Sequence, residues 1–403
     1  MKNIREINIG FNHNFQVTCE EHKHIGNLPC PWENCKKGIP ENEFLDITHK
    51  GFGENAQGFT THYKRRKWTS LDGYERFTWD SQNTPAIYRA DTILREENLR
   101  TGTQEVDYSN HTIYHYTSMQ GLHGIINSNS LWLTDFQYMN DSQEISHGIK
   151  LAKSILAKLE DSKRYTDKKN YFKIWKNFVE TGIDRRICIS CFSIDNGDSL
   201  SQWRGYGNMG GGISIGFKVS DWKFWNKDLT TLNNVIYDIE EQQKILSNFF
   251  HIYLTVLDWD KDKNMTNING KKIKPHKPEE LKSYFISQIY KQIINFKHPS
   301  FSDEMEARWV FQEDKGFLKD MGIKSLKKNF RTIANKLIPY ISSNDLPNIG
   351  REINGTTKLP ISEIVVGPQK DSDLVINGIK EFLEEYGYSN IKIRKSSIPF
   401  RVH

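Results

Sequence analysis

From Ile113 onward the chain alternates short apolar runs of strand length with longer stretches of helical period, at irregular spacing. Strands are expected at 113–117, 131–134, 187–192, 213–217, 308–311, 364–366 and 391–393. These runs are rich in β-branched and aromatic residues, which suit a pleated, half-buried surface. Helices are expected near 118–126, 141–159, 240–259, 279–296, 325–341 and 373–386, where apolar residues recur at helical spacing. Ser118 stands where it can cap the first of them. An evenly wound α/β sheet would alternate more regularly, so the pattern argues for an α+β fold.

The first hundred residues differ. They are rich in Gly, Asn, His and aromatics and carry no long amphipathic period. The polar stretch Thr101-Gly102-Thr103 marks the expected boundary. A small module over 1–105 is expected to precede a larger domain over 106–403.

The chain has 403 residues and a formal net charge of +5. That balance is too mild to establish a nucleic-acid partner by itself. No apolar run reaches bilayer-spanning length, so no membrane partner is expected. The opening Met1-Lys2-Asn3-Ile4-Arg5 lacks the apolar stretch of a secretory signal, and a cytoplasmic location is expected.

Three of the 5 cysteines fall within the first 35 residues. Cys19 and His22 form one close pair, and Cys30 and Cys35 another. Two close pairs joined by a loop can bring four ligands to a zinc tetrahedron, and four protein ligands leave no open position, so a structural zinc is expected. His24 and His13 are alternatives to His22. The remaining pair, Cys188 and Cys191, has redox spacing but lies in an apolar run and reads as core strand.

His62-Tyr63-Lys64-Arg65-Arg66-Lys67-Trp68 interleaves cations with aromatics, followed by Arg76, Phe77 and Trp79. Such a mixture suits phosphate contacts and base stacking. A solvated charged strand gives the same pattern, and Asp72 and Glu75 dilute the charge.

Polar signatures stand at the ends of the apolar runs, where a rigid scaffold presents a cleft. Tyr114-His115-Tyr116-Thr117 comes first. Asn140-Asp141-Ser142-Gln143-Glu144 reads mainly as a helix cap, with Tyr138 before it as a stacking candidate. Ser201-Gln202-Trp203-Arg204-Gly205-Tyr206-Gly207 opens a short helix. In it Arg204 suits a diphosphate, and Trp203 or Tyr206 suits stacking on a ring. Glu304-Met305-Glu306-Ala307-Arg308 follows. In an extended strand, residues two apart face one side, so Glu304 and Glu306 are expected to share a rim. A carboxylate there would stabilise the positive character that develops on a ribose carbon when its bond to nicotinamide breaks. Surface pairing with Arg308 is the plainer alternative.

These motifs, with Ile364-Val365-Val366-Gly367-Pro368 and Ser397-Ile398-Pro399-Phe400-Arg401, resemble a bacterial family of unknown function over roughly residues 110–403. That family in turn is similar to ADP-ribosyltransferases. The Tyr-His-x-Thr opening resembles the first-strand motif of the diphtheria-toxin-like branch, and Glu-x-Glu resembles the catalytic strand of arginine-modifying toxins. The resemblance implies a split mixed sheet with flanking helices. It implies NAD as substrate, held by His115 and Thr117 with Tyr116 beside them, Glu306 as catalytic and Glu304 as its assistant. The family's Ser-Thr-Ser motif is absent, and Ser201 stands near its place. Relatives with this fold are often toxins, including anti-phage toxins, held by an antitoxin partner. With the basic N-terminal run, the resemblance points to nucleic acid as acceptor, RNA ahead of DNA. A nucleic-acid-binding adaptor with an inactive transferase-like domain, or a transferase acting on protein side chains, stands as the alternative.

Overall fold

The computed structural model describes residues 4–5, 17–19, 24–25, 31, 44–49, 59–82, 84–100, 108, 110–139, 142–181, 186–207, 211–221, 230–263, 282–313, 318, 326–333, 335–346 and 358–399. In chain order come strands β1 Ile4–Arg5, β2 Val17–Cys19, β3 His24–Ile25, β4 Phe44–His49, β5 Phe59–Thr69 and β6 Glu75–Ser81, then helix α1 Ile87–Arg100. Next are β7 Thr112–Thr117, α2 Met119–Ser128, β8 Trp132–Asp135, α3 Ser142–Glu160, α4 Lys169–Thr181 and β9 Ile187–Ser193. They are followed by α5 Leu200–Gly205, β10 Ile213–Lys218, β11 Thr230–Asn234, α6 Ile239–Val256 and α7 Lys282–Ile293. The last are β12 Glu306–Gln312, β13 Asn329–Ile333, β14 Lys336–Ser342, β15 Ile361–Val366, α8 Ser372–Glu385 and β16 Lys392–Lys395. The class is mixed α+β. Among the described residues, no helix is long and apolar enough to cross a membrane.

The chain divides into two compact units. Unit 1 comprises Met1–Glu105, Gly148–Ile183 and Ile239–Ile294, and unit 2 comprises Val106–His147, Asp184–Asp238 and Asn295–His403. The expectation of one uninterrupted domain from residue 106 does not hold. Two segments within that span belong with the N-terminal part.

In unit 1, β1, β4, β5 and β6 form a sheet in that order. Alternation along β5 sets its two faces. Arg66 and Trp68 are buried, with Lys67 exposed between them. Arg66 Nε donates to Asp80 Oδ2 at 3.1 Å, and its Nη2 donates to the Trp259 carbonyl at 2.9 Å. Arg76 holds Glu97 through two hydrogen bonds of 2.9 and 3.0 Å. Part of the basic and aromatic run therefore binds the unit together, while His62 and Lys67 face solvent. Helix α1 packs on α6. The buried aromatics Phe172, Trp175, Phe249, Phe250, Tyr253 and Phe285 fill the core, with Trp175 and Phe285 stacked at 4.5 Å.

His251 lies in this interior. The Thr69 carbonyl, 2.8 Å from Nε2, can only accept, so Nε2 carries the proton and Nδ1 accepts from the Tyr165 hydroxyl at 2.6 Å. Burial is the main cause that lowers its pKa, from the ordinary 6.5 to about 4. The unfolded chain takes up this proton below the ordinary value, and the folded chain refuses it until the lower one. Stability is therefore expected to fall as pH drops through that window, by about 3 kcal/mol in full. Denaturation midpoints across the window, for wild type and His251→Gln, check this. The loss belongs to wild type. An equally steep loss in the variant would assign it elsewhere.

Unit 2 is built on a ten-stranded sheet in the order β13-β14-β8-β9-β7-β10-β15-β16, with β12 on β9 and β11 on β12. The sheet is mixed: β15 and β16 are parallel, and its other pairs are antiparallel. Strand β12 runs along the whole of one edge of β9. Both β7 and β8 must then share the other edge. β8 pairs there at Ile189 and Cys188, and β7 only at Ser193. The sheet therefore splits between β7 and β8. Helix α2 follows β7, capped by Ser118, whose hydroxyl accepts from the Gly121 N–H at 3.1 Å.

The helix expected near 325–341 is absent. That span forms the β13–β14 hairpin instead. Leu326, Phe330, Leu337 and Ile341 mimic a helical stripe, but Pro339 would break a helix interior. On β14 it stands opposite Phe330.

Candidate functional site

Directly opposed residues in an antiparallel pair share a face, as do alternate residues along a strand. Following the registers Arg331↔Ile338, Tyr340↔Thr134, Thr134↔Ile189, Cys191↔Arg308 and Ser193↔Glu306 gives one continuous face. It carries Arg331, Tyr340, Thr134, Cys191, Ser193, Arg308 and Glu306. The other face carries Leu133, Ile341, Cys188, Phe192, Ala307, Trp309 and Phe311, all in the hydrophobic core. The charged pair Glu306 and Arg308 of β12 thus lies on one side of the sheet, with Ile189 and Val310 on that same side, and the hydrophobic core lies on the other.

Glu306, only 6% exposed, is the centre of the polar face. Its Oε1 accepts from Arg308 Nε at 2.8 Å. Its Oε2 accepts from Arg308 Nη2 at 3.1 Å and from Lys297 Nζ at 3.0 Å. The Cys191 thiol also donates to it. The Glu306 backbone N–H donates to the Tyr237 hydroxyl oxygen at 2.9 Å. Burial alone would raise its pKa. The Arg308 and Lys297 charges and these bonds outweigh that and hold it at about 2, against an ordinary 4.5. The group therefore remains a carboxylate at any physiological pH.

Burial, with the Glu306 charge next, pushes the Cys191 thiol well above its usual range. Burial pushes Cys188 up to about 12. Both stay protonated at neutral pH and act as packing groups rather than nucleophiles.

Glu304 is placed otherwise than a shared strand would place it. It ends the 3-10 turn Pro299–Glu304, and Met305 after it adopts a left-handed φ of 45°. The two-apart rule therefore does not join it to Glu306. Lys297 does: Nζ reaches Glu304 Oε2 at 2.7 Å as well as Glu306. Nothing local in the sequence announces Lys297, because only the fold brings it to the two carboxylates. Arg308, two residues beyond Glu306, was open to the alternation rule. Its pairing with Glu306 is buried, not superficial.

Helix α5 docks on the same rim. Gln202 Nε2 donates to the Glu304 carbonyl at 3.0 Å, and the Ser193 hydroxyl donates to that oxygen at 2.8 Å. Ser201 Oγ reaches the Asp303 carbonyl at 3.5 Å. The Ser-Gln-Trp-Arg and Glu-x-Glu motifs, a hundred residues apart, are thus neighbours. Trp203 is fully buried, meets Tyr116 edge-on at 4.9 Å, and donates from Nε1 to Asp198 at 2.8 Å. Tyr116 is buried too, its hydroxyl donating to Asp195 at 2.8 Å and accepting from the Ser199 N–H at 3.0 Å. These two rings hold the rim in place and have no surface for a ligand. Gly197, at φ 77°, gives the turn its shape, and a Cβ there would stand 2.4 Å from the Tyr114 ring. Arg204 and Tyr206 are exposed, and the Tyr206 hydroxyl, its pKa raised by burial and then by the Glu304 charge, stands within electrostatic reach of Glu304, Lys297 and Glu306.

His115 sits at the split. Its Nδ1 is 2.9 Å from the Cys191 carbonyl, which can only accept, so Nδ1 carries the proton and Nε2 is an acceptor. Burial, and after it the nearby Arg331 charge, lowers its pKa, so the ring is neutral. The β7–β9 register puts Tyr114 on the Glu306 side and His115 on the other, beside the Phe192 ring at 5.8 Å. His115 and Glu306 thus share Cys191, one through its carbonyl and one through its thiol, without touching one another. Thr117 ends β7 next to α2. Tyr138 is exposed in the turn after β8.

The zinc expectation falls largely outside the described residues, which exclude His22, Cys30 and Cys35 as well as His13. The Cys19 backbone pairs with that of His24 across the β2–β3 hairpin. Among the described residues, no group of His, Cys, Asp and Glu is arranged to hold a metal ion. Asn140, Asp141, Gly210 and Arg401 also lie outside them.

A family model described as "Protein of unknown function (DUF2971)" matches residues 202–309. The matched span takes in most of α5 and ends one residue beyond Arg308, so it holds Lys297, Glu304, Glu306 and Arg308. No curated protein and no solved structure matches the chain.

Proposed function

We propose that the protein is an NAD-dependent ADP-ribosyltransferase that acts as a toxin, in phage defence or paired with an antitoxin, and transfers ADP-ribose to nucleic acid, RNA ahead of DNA. The observation that carries this reading is the Glu306 carboxylate, kept ionised by Arg308 and Lys297 on the polar face of the sheet. When the bond between nicotinamide and ribose breaks, its electron pair leaves with nicotinamide. Positive charge grows on the ribose carbon, and a fixed carboxylate stabilises it without reorganising. The acceptor then bonds to that carbon and loses a proton, which Glu304, paired with the same Lys297, would take. Tyr206 on the rim suits stacking, whereas His115, on the other side of β9 from Glu306, would reach a ribose hydroxyl only at the split between β7 and β8. The direct test is nicotinamide release from NAD by wild type and by Glu306→Gln. Release that depends on Glu306 supports the reading, and equal release from both removes it.

The same cluster favours a second reading. Two cations already neutralise Glu306, as in a purely structural ion network, and a nucleic-acid-binding adaptor would need no more. It predicts nucleic-acid binding without NAD turnover. Protein side chains as acceptor would keep the enzyme and change only its target.

A structural zinc held by Cys19, His22, Cys30 and Cys35 belongs to this proposal, with the N-terminal module choosing the acceptor. Metal analysis of the purified protein is expected to find about one zinc per chain. A metal-free, folded protein would remove it.

A further inference from the structure

The β13–β14 hairpin holds an uncompensated cation on the Glu306 face. Arg331 Nη2 donates to the Thr134 hydroxyl at 2.8 Å, and its guanidinium lies 5.7 Å from the centre of the Trp132 ring. Its Nε is buried with no hydrogen-bond partner. Among the described residues, no carboxylate pairs with it. A guanidinium is seldom taken from water without an acceptor for its fork. Burial is the main cause that lowers this group's pKa.

The surroundings point to what would satisfy it. Trp132 and Tyr340 stack at 4.5 Å beside Arg331, and both are half-buried. From 324 to 342 the chain carries Lys324, Lys327, Lys328, Arg331 and Lys336 and no acidic residue. Lys327, Lys328 and Lys336 are exposed, and none forms an ion pair among the described residues. The Phe330 ring is exposed on this hairpin as well. A fork-shaped donor, an aromatic pair and several cations match a phosphate carried by a nucleotide.

We infer that Arg331, with Thr134, Trp132 and Tyr340, forms a binding site for a phosphate group of a nucleotide ligand, on the sheet face that carries Glu306. The inference names a ligand chemistry and requires no bond to be cleaved, so it stands whether or not the transferase reading does. The phosphate has two sources, a free diphosphate such as ADP-ribose or the backbone of a single-stranded nucleic acid.

Calorimetric titration of the full-length protein with inorganic pyrophosphate, ADP-ribose and a short single-stranded oligonucleotide tests it. At least one probe is expected to bind wild type. Arg331→Gln is expected to weaken that binding roughly tenfold to a hundredfold, the value of a charge-assisted hydrogen bond. Arg331→Lys keeps the charge, loses the fork, and is expected to recover only part of it. Thermal melting of each variant shows whether it folds, and removing an unpaired cation should leave the midpoint nearly unchanged. If ADP-ribose binds and the oligonucleotide does not, the source is a free nucleotide. If the oligonucleotide alone binds, the source is a nucleic-acid backbone. The inference is overturned if no probe binds wild type, or if folded Arg331→Gln binds as tightly as wild type.

Discussion

Glu306→Gln is expected to reduce ADP-ribose transfer by roughly a hundredfold to a thousandfold, the usual loss when one preorganised electrostatic group is removed. The substitution keeps shape and deletes charge. It also has a structural cost, because Arg308 would lose the carboxylate it pairs with and Lys297 would keep only Glu304 of the two carboxylates it bridges. Stranding buried charge in this way costs about 3–5 kcal/mol. Lower activity alone is therefore ambiguous. Activity must be expressed per folded molecule, with the folded fraction read from circular dichroism at the assay temperature. Glu306→Asp separates the effects further. It retains the charge and most of the stability but withdraws the carboxylate from its position, so transfer should fall while folding holds. Glu306→Gln with wild-type activity per folded molecule would refute a catalytic Glu306.

Trp203→Ala is expected to cost about 3–5 kcal/mol of stability, as for other large aromatics deleted from a packed interior. The indole is 0% exposed and packs against Tyr116. Its Nε1 donates to Asp198, which also accepts from the Ser396 and Ser397 hydroxyls and the Ser397 N–H. The ring therefore joins α5 to the chain beyond β16. Trp203→Phe keeps most of the volume and loses the donor, so about 1–2 kcal/mol is expected. Urea midpoints for the two variants should fall in that order. A Trp203→Ala protein as stable as wild type would show that the ring is not an anchor, and would return it to the ligand-contact role its motif first suggested.

The strands of unit 2 were legible wherever β-branched residues ran together, as at Ile187–Ser193 and Ile361–Val366. Ser118 marked the start of α2, and its hydroxyl does cap that helix. The span 325–341 was misread because its apolar residues fit a helical stripe equally well, although Pro339 argued against it. The meeting of the Ser-Gln-Trp-Arg and Glu-x-Glu motifs was legible only as a suspicion. Each is a local pattern, and the hydrogen bond from Gln202 to the Glu304 carbonyl exists only in the folded chain. Lys297 and Arg331 gave no signal at all. A lysine or arginine in sequence does not disclose whether solvent, a carboxylate or nothing will face it, since strand order decides that. The same limit applies to Tyr116 and Trp203, where the motifs suggested ligand contacts and burial assigns both to the framework. The division of the chain was hidden for a related reason: segments distant in sequence, Gly148–Ile183 and Ile239–Ile294, complete unit 1.

The central claim is that the ionised Glu306 supports transfer of ADP-ribose from NAD. The most direct measurement incubates the protein with NAD labelled in its adenylate half, together with separate pools of RNA, DNA and protein. The account predicts label in a nucleic-acid pool, RNA ahead of DNA, with little or none when folded Glu306→Gln replaces wild type. Label in no pool, with NAD recovered intact after incubation with the folded wild-type protein, would contradict it.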